Sequence, residues 1–436
     1  MARERVRRGW LGIAVLLFAA RAGLADERKF LSGYAGTVPP RDSDRARTYF
    51  DQPSVRSLIA RLEKGSLPAA AVDAALEGSG TSKDDLLRVG LLRRDGERFA
   101  IGFAYFTAAD MKTIHAIADR AAREMVPLYR RHGHELDRIV ASYSASGVPR
   151  GELAFVLIAG FGLNWDGLAL TREMGLRRPR LVEGNGFRYS FWASEEVPGR
   201  DYREFYWGSS TAPLADPGDP RAWSFSSFGD PDSDPRMNFP DLAYLSVGDM
   251  TPAVRAAAGR IGLRETEEFG QKFHGVLGGA VMRHAADVLF ALRKSPLSEA
   301  ELRSAAGGDP APLVALLEEI GYVERSGNGW QLRVPVLDTA DRPLLDDALA
   351  LNRNVLRSWL KFRGPWLRRE LSGLTAIRAG IPFEALFTQV WHEIFGATTR
   401  ELARAGIVAS AYAKGARSPG SFSALWRQSL YKFIPG

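Results

Sequence analysis

The 436-residue chain contains no cysteine and only six histidines. The first absence excludes disulfide staples, thiolate catalysis and thiolate metal sites, so the fold must rest on its core. Past the first 25 residues the sequence reads without an apolar run suited to crossing a bilayer. A strong charge of one sign is missing too. The chain carries +7, but its first 25 residues hold five arginines and one acid, which leaves +3 for the remainder. Proteins selected for nucleic acid usually show a larger basic excess. No G-x-S-x-G elbow, Walker loop, dinucleotide fingerprint or glycosidase-type carboxylate pair is written anywhere.

What is there begins with a three-zone leader. A basic stretch ends at Arg8, an apolar run follows from Trp10 to Ala20, and Gly23-Leu24-Ala25 offers small residues around a cleavage point. That layout predicts a secretory signal over 1–25, cut near Ala25, and a periplasmic or secreted product. Arg7-Arg8-Gly9-Trp10-Leu11 also resembles the twin-arginine export motif, with Val6 standing where a hydroxyl residue is usual.

One stretch is written twice. Residues 90–110 (GLLRRDGERFAIGFAYFTAAD) and 321–341 (GYVERSGNGWQLRVPVLDTAD) align without a gap at an offset of 231, with five identities and seven exchanges among large apolar residues. Phe99, Ile101, Phe103 and Tyr105 alternate, as do Trp330, Leu332, Val334 and Val336, and a period of two predicts a strand with one buried face. Arg94-Asp95-Gly96 and Arg325-Ser326-Gly327 are turn chemistry, so each copy reads as a short hairpin. Upstream the pattern is helical: helices are expected over 54–63, 68–76 and 82–89, and again over 285–294, 298–306 and 310–320. Downstream, Thr107 to Asp110 and Asp338 to Asp341 look like helix starts. The segments 146–162 and 379–396 each open a mostly apolar helix after a Gly-aliphatic-Pro break.

Three short helices followed by a hairpin resemble the winged-helix family, and LSEAELRSAAGGDPAPLVALLEEIGYVERSGNGWQLRVPV resembles the core of MarR- and ArsR-like regulators. The resemblance covers roughly 54–110 and 285–341. It implies a mainly α architecture with small β-hairpins (α+β), arranged as an internal pseudo-twofold pair. The expected divisions are a first winged-helix repeat with helical extension over 54–185, an aromatic β-rich insert over 186–283, a second repeat over 284–410 and a basic aromatic tail over 411–436, carrying Trp426, Tyr431 and Phe433.

In that family the third helix ordinarily reads DNA, which needs cations at its start and beside it. Here the second copy offers Asp309, Pro310, Ala311, Glu318 and Glu319. The first offers Lys83 and Arg88 offset by Asp84 and Asp85, with Arg93, Arg94 and Arg98 on its wing. Acids facing phosphate, together with export, make duplex DNA an alternative rather than the expected partner.

Several residues are candidates for a site. Tyr202, Tyr206, Trp207, Trp223 and Phe228 can build an aromatic platform for a flat ligand, with Ser209, Ser210 and Thr211 nearby. Asp230, Asp232, Asp234 and Asp241 have spacing suited to oxygen ligation of Ca²⁺, although Pro235 occupies the place where an EF-hand needs glycine. His132-Gly-His134-Glu135 has a metal-like rhythm beside Asp137, but lacks a third ligand. No other cofactor is expected. The sequence thus predicts an exported binding or scaffold protein, without enzymatic activity, that meets a protein or small ligand outside the cytosol. The alternatives are a winged-helix regulator and an exported hydrolase whose site lies in the insert, using groups such as Asp230 and His274.

Overall fold

In a computed structural model, the described residues are 28–37, 45–184, 187–200, 206, 208–213, 222–229, 283–306, 310–413 and 421–431. The leader, Tyr202, Trp207, Asp230, Asp232, Asp234, Asp241, His274 and Phe433 lie outside them.

The chain is mixed α/β. Strand β1 (Phe30–Thr37) leads to helices α1 (Pro53–Leu62), α2 (Ala69–Leu76) and α3 (Lys83–Arg88), with the two-residue β2 (Leu67–Pro68) between the first two. A hairpin follows, β3 (Leu92–Asp95) and β4 (Arg98–Ile101), then β5 (Ala104–Phe106), the long α4 (Ala108–Arg131) and α5 (Gly133–Ala141). Helix α6 (Arg150–Glu173) comes next. Strands β6 (Val182–Gly184), β7 (Phe187–Glu195), β8 (Gly208–Pro213) and β9 (Trp223–Gly229) precede α7, helical over 283–292. The remainder runs β10 (Leu297–Ser298), α8 (Glu299–Ala306), α9 (Ala311–Glu319), β11 (Val323–Ser326), β12 (Gly329–Leu332), β13 (Val336–Leu337), α10 (Arg342–Leu371), α11 (Phe383–Arg404) and β14 (Ser421–Arg427).

The two small sheets have matching registers. Leu67 pairs with Phe99 and Leu92 with Ile101; Leu297 pairs with Trp330 and Val323 with Leu332. Gly96 and Gly327 both take positive φ, 63° and 58°, as the hairpin turns require. The alternating apolar residues are buried as the period predicts, but each run divides between two sheets. The chain leaves the hairpin at Gly102, whose amide donates to Leu91 O; Arg333 makes the equivalent bond to Tyr322 O. A Cβ at 102 would lie 2.6 Å from the carbonyl oxygens of Gly90 and Leu92, so only glycine fits the bend.

Two larger sheets take the strands that leave the hairpins. β5 runs parallel to β7, whose other edge is covered by antiparallel β1, while β6 pairs with the start of β7. β13 runs parallel to β14, which pairs antiparallel with β9, and β9 with β8. The stretch 186–283, expected as one insert, therefore supplies β7 to one sheet and β8 and β9 to the other. The basic tail is likewise drawn into the fold: Trp426 is buried in β14 and donates from Nε1 to Ser226 Oγ at 2.9 Å. Period-two patterns locate strands but do not name their partners.

Helix starts follow the sequence signals. Ser82 with Asp85, Thr107 with Asp110, and Asp338 with Asp341 each form a reciprocal capping box. Helix α6 is long and apolar enough to cross a membrane, contrary to the sequence reading, yet it is mostly buried inside the protein. It carries a π-helical stretch over Phe155–Asp166, every residue of which is buried. The packing is reciprocal. α6 lies on α10 and against β8, β9 and β14, whereas α11 lies on α4 and against β5. Each late apolar helix thus covers the long helix and sheet of the other half of the chain.

Close approach makes α6 sensitive to added volume. A Cβ at Gly160 would sit 2.8 Å from the ring of Phe228, which is buried and hemmed by Phe161 and Trp165. Gly160→Ala is expected to destabilise the protein by about 1–3 kcal/mol through overpacking. Gly133→Ala, with no atom within 4 Å of the new methyl, is expected to leave the melting temperature unchanged or higher. Thermal denaturation followed by circular dichroism distinguishes the two.

Candidate functional site

The three described residues of the proposed aromatic platform, Tyr206, Trp223 and Phe228, are buried in the core. Tyr206 is buried against Phe155 and Tyr412, with ring centroids 5.4 and 5.2 Å away, and its hydroxyl accepts from the amide of Ala411. Trp223 is buried beneath the guanidinium of Arg427, 3.7 Å from the ring centroid. Phe228 packs on α6 in a different cluster from Trp223. Ser209 accepts from Trp165 Nε1 at 2.7 Å, and Thr211 shares a hydrogen bond with Ser226. Bulky aromatics at strand spacing serve either purpose in a sequence, and these three contribute to packing.

Among the described residues no three His, Asp or Glu side chains gather as metal ligands. His132 Nδ1 meets Glu135 Oε2 at 2.9 Å on the surface at the junction of α4 and α5, where His132 ends one helix and caps the next.

Two polar clusters lie deeper. In the first, Arg28 Nη1 contacts Glu63 and Glu195 at 2.8 and 2.5 Å, Tyr105 donates to Glu63, and Glu195 accepts from the amide of Ala108. Burial, followed by the two carboxylates, pushes the Tyr105 phenol well above its ordinary range, so it stays protonated. Every carboxylate there has a donor, which suits a structural tie between β1, α1 and the start of α4.

The second cluster surrounds a cavity of about 40 Å³. It lies where α11 crosses the β1-β7-β5 sheet. Tyr34, Phe103, Phe191 and Trp192 form its apolar wall, with Gly90 and Gly102 at the base of the hairpin and Arg180 and Val182 beside β6. Gly33 makes room for the indole of Trp192, to which a Cβ there would come within 2.7 Å. Helix α11 supplies the opposite wall: Ala385, Thr388, Gln389 and His392, one helical turn after another.

That wall is polar. Gln389 is 2% exposed and Thr388 8% exposed, and neither Gln389 Nε2 nor Thr388 Oγ1 has a hydrogen-bond partner. Unmet buried donors are costly, about 1–3 kcal/mol each, and in a folded protein they call for a specific reason. His392 Nδ1 lies 2.7 Å from Thr388 O, so that nitrogen carries the proton and donates, leaving Nε2 as the acceptor. Burial drives the imidazole down to about 4, against the opposing hydrogen bond to Thr388 O and with a smaller push from Arg177. It is neutral at physiological pH. Arg177 is itself buried, donates from Nε to Leu168 O at 3.0 Å, and leaves Nη1 without a partner; burial, then Arg172, lowers it to about 10. At the cavity mouth, burial and then Arg93 lower Arg180 from its ordinary value.

None of Thr388, Gln389 and His392 is singled out by the sequence analysis. The T-Q-x-x-H spacing at i, i+1 and i+4 inside an apolar helix was the available signal. No family model, no curated protein and no solved structure matches the chain.

His392 makes stability depend on pH. The unfolded chain takes up its proton near 6.5 and the folded one only near 4, so this contribution is complete above 6.5 and is lost as pH falls towards 4. The loss amounts to roughly 3 kcal/mol over that window. Urea unfolding at a series of pH values is expected to give a shallower acid slope for His392→Gln than for the natural chain.

Proposed function

We propose that the chain is an internally duplicated winged-helix protein that works as an exported binding module, taking a small ligand in the cavity where its halves interlock. The observation that carries this reading is an aromatic-walled cavity lined on its other side by Thr388, Gln389 and His392, two of which keep a buried polar atom, Thr388 Oγ1 and Gln389 Nε2, without a partner. The reading of a duplication draws support from the repeated order of helix, short strand, helix, helix and hairpin, from the matching registers, and from the reciprocal cover of each half by the other's apolar helix. Intertwined dimers of separate chains exchange elements in the same way.

The arginines that gave the first hairpin its likeness to a DNA-reading wing each have a contact within the protein. Arg93 Nη2 donates to Ala379 O at 2.6 Å, Arg94 lies over the Phe99 ring, and Arg98 is bonded to Ser66. On α3, Lys83 pairs with Asp73 and Arg88 with Asp85. Helix α9 carries no cation. A surface so arranged offers phosphate little.

Two measurements test the reading. Fluorescence anisotropy with a random duplex is expected to show no affinity that falls with salt between about 50 and about 200 mM. A steep fall would favour a DNA-binding protein instead. Ala385→Phe, which fills the cavity, is expected to abolish thermal shifts produced by small ligands in the natural protein; ligand shifts that survive it would place binding elsewhere.

A further inference from the structure

We infer that the outer face shared by α4 and the second half of α10 docks onto an anionic lipid surface, with Phe362 entering the headgroup layer. The inference is independent of the cavity and of the reading built on it.

The two helices lie side by side and antiparallel. Tyr129 bonds to Asn352, Glu124 accepts from Trp359 Nε1 and Arg363, and the Arg120 guanidinium lies 4.6 Å from the centroid of the Trp366 ring. On α4 every exposed charged residue is a cation: Lys112, Arg120, Arg123, Arg130 and Arg131. Its acids are buried or half-buried. Asp110 belongs to the capping box, Asp119 pairs with Arg400, and Glu124 with Arg120 and Arg363. On α10, from residue 357 onward, Arg357, Lys361, Arg368 and Arg369 are exposed against Glu370 alone.

Ion pairs absorb only part of this charge. Arg357 lies 3.7 Å from Glu173, Arg368 pairs with Glu384, and Arg369 with Glu370. Arg130 and Arg131 point the way to α5, where Glu135, Asp137, Asp346 and Asp347 are exposed and the face ends. Leaving those two arginines out, and counting Arg363, eight cations stand against the four carboxylates Glu124, Glu173, Glu370 and Glu384. The excess of four exceeds the +3 that residues 26–436 carry in all. Lys112, Arg123 and Lys361 make no ion pair among the described residues.

Phe362 stands in this field. It is 75% exposed, the one large apolar side chain so exposed among the described residues. Pro365, Trp366 and Arg369 share its stripe at i+3, i+4 and i+7. Trp366 is half-buried, and Arg363 lies 5.7 Å from its ring centroid and 4.8 Å from that of Phe362. Aromatic rings set among lysine and arginine suit a bilayer interface, where the rings enter the boundary of headgroup and acyl chain and the cations meet lipid phosphate. A second copy of the chain fits poorly, since face on face would set the unpaired cations against their own kind. A duplex nucleic acid meets the cations but offers Phe362 nothing apolar to enter. A lipid layer answers both and takes a protruding ring without a preformed socket.

The experiment is co-sedimentation of the mature protein, residues 26–436, with vesicles of phosphatidylcholine alone or mixed with phosphatidylglycerol. Binding is expected only with phosphatidylglycerol, and it is expected to weaken as salt rises from about 50 to about 200 mM. Arg123→Glu combined with Lys361→Glu is expected to weaken it by roughly tenfold or more, and Phe362→Ser by roughly tenfold. The chain has no cysteine, so an environment-sensitive dye on Ser358→Cys, one turn before Phe362, reports that face alone. Its emission is expected to shift to the blue on vesicles, whereas the same dye on Glu77→Cys, exposed at the end of α2, is expected to stay unchanged. Absence of binding, equal binding to both vesicles, binding indifferent to the charge reversals, or equal shifts from the two dyes would each overturn the inference. Binding of duplex DNA that the charge reversals abolish would assign the face to nucleic acid and overturn it too.

Discussion

Helices α6 and α11 are too apolar to face water. Each finds its cover in the other half of the chain, α6 on α10 and α11 on α4, and the two meet where Trp391 Nε1 donates to Leu163 O at 2.9 Å. Gly167 permits that meeting, since a Cβ there would stand 2.8 Å from the Trp391 indole. The four helices make one shared interior, so neither half can complete its core alone. The sheets depend on the same exchange, because the apolar helix of one half is the layer that seals the sheet of the other.

Polar pairs fix the register of this bundle without supplying much of its stability. Asp166 of α6 takes Arg353 of α10 at 2.7–2.9 Å, and Arg400 of α11 reaches Asp119 of α4 at 3.2 Å. Glu124 of α4 receives Arg363 and Trp359 of α10, while His115 faces Glu393 across α4 and α11 at 3.3 Å. Desolvation offsets most of the Coulomb gain for such pairs, but an unpaired charge in the same place costs several kcal/mol, about 3–5 when one partner is removed. A helix slipped by one turn would strand all of them together. Hydrophobic burial holds the bundle; the ion pairs select one arrangement of it.

The local structure was legible in the sequence because its causes are local. Capping residues at Ser82, Thr107 and Asp338, turn glycines at 96 and 327, and the apolar periods of the hairpins all act within a few residues of themselves. The assignment of strands to sheets was not legible. β7 reads as aromatic β structure in sequence, but its partners, β1 and β5, lie far away along the chain. Nor was the cavity, since a Gln and a Thr among apolar residues differ from an ordinary helix face only once the opposing wall is known to lack their partners. Tyr206, Trp223 and Phe228, conspicuous in the sequence, are buried in the core.

The hollow junction also explains why the hairpin arginine nearest to it is not spare. Arg93 Nη2 closes on Ala379 O at the loop that introduces α11, and Gly380, at φ 84°, leaves that guanidinium its space. The first hairpin is thereby latched to the helix that bears Thr388, Gln389 and His392, on the side of the cavity where Gly90 and Gly102 form its floor.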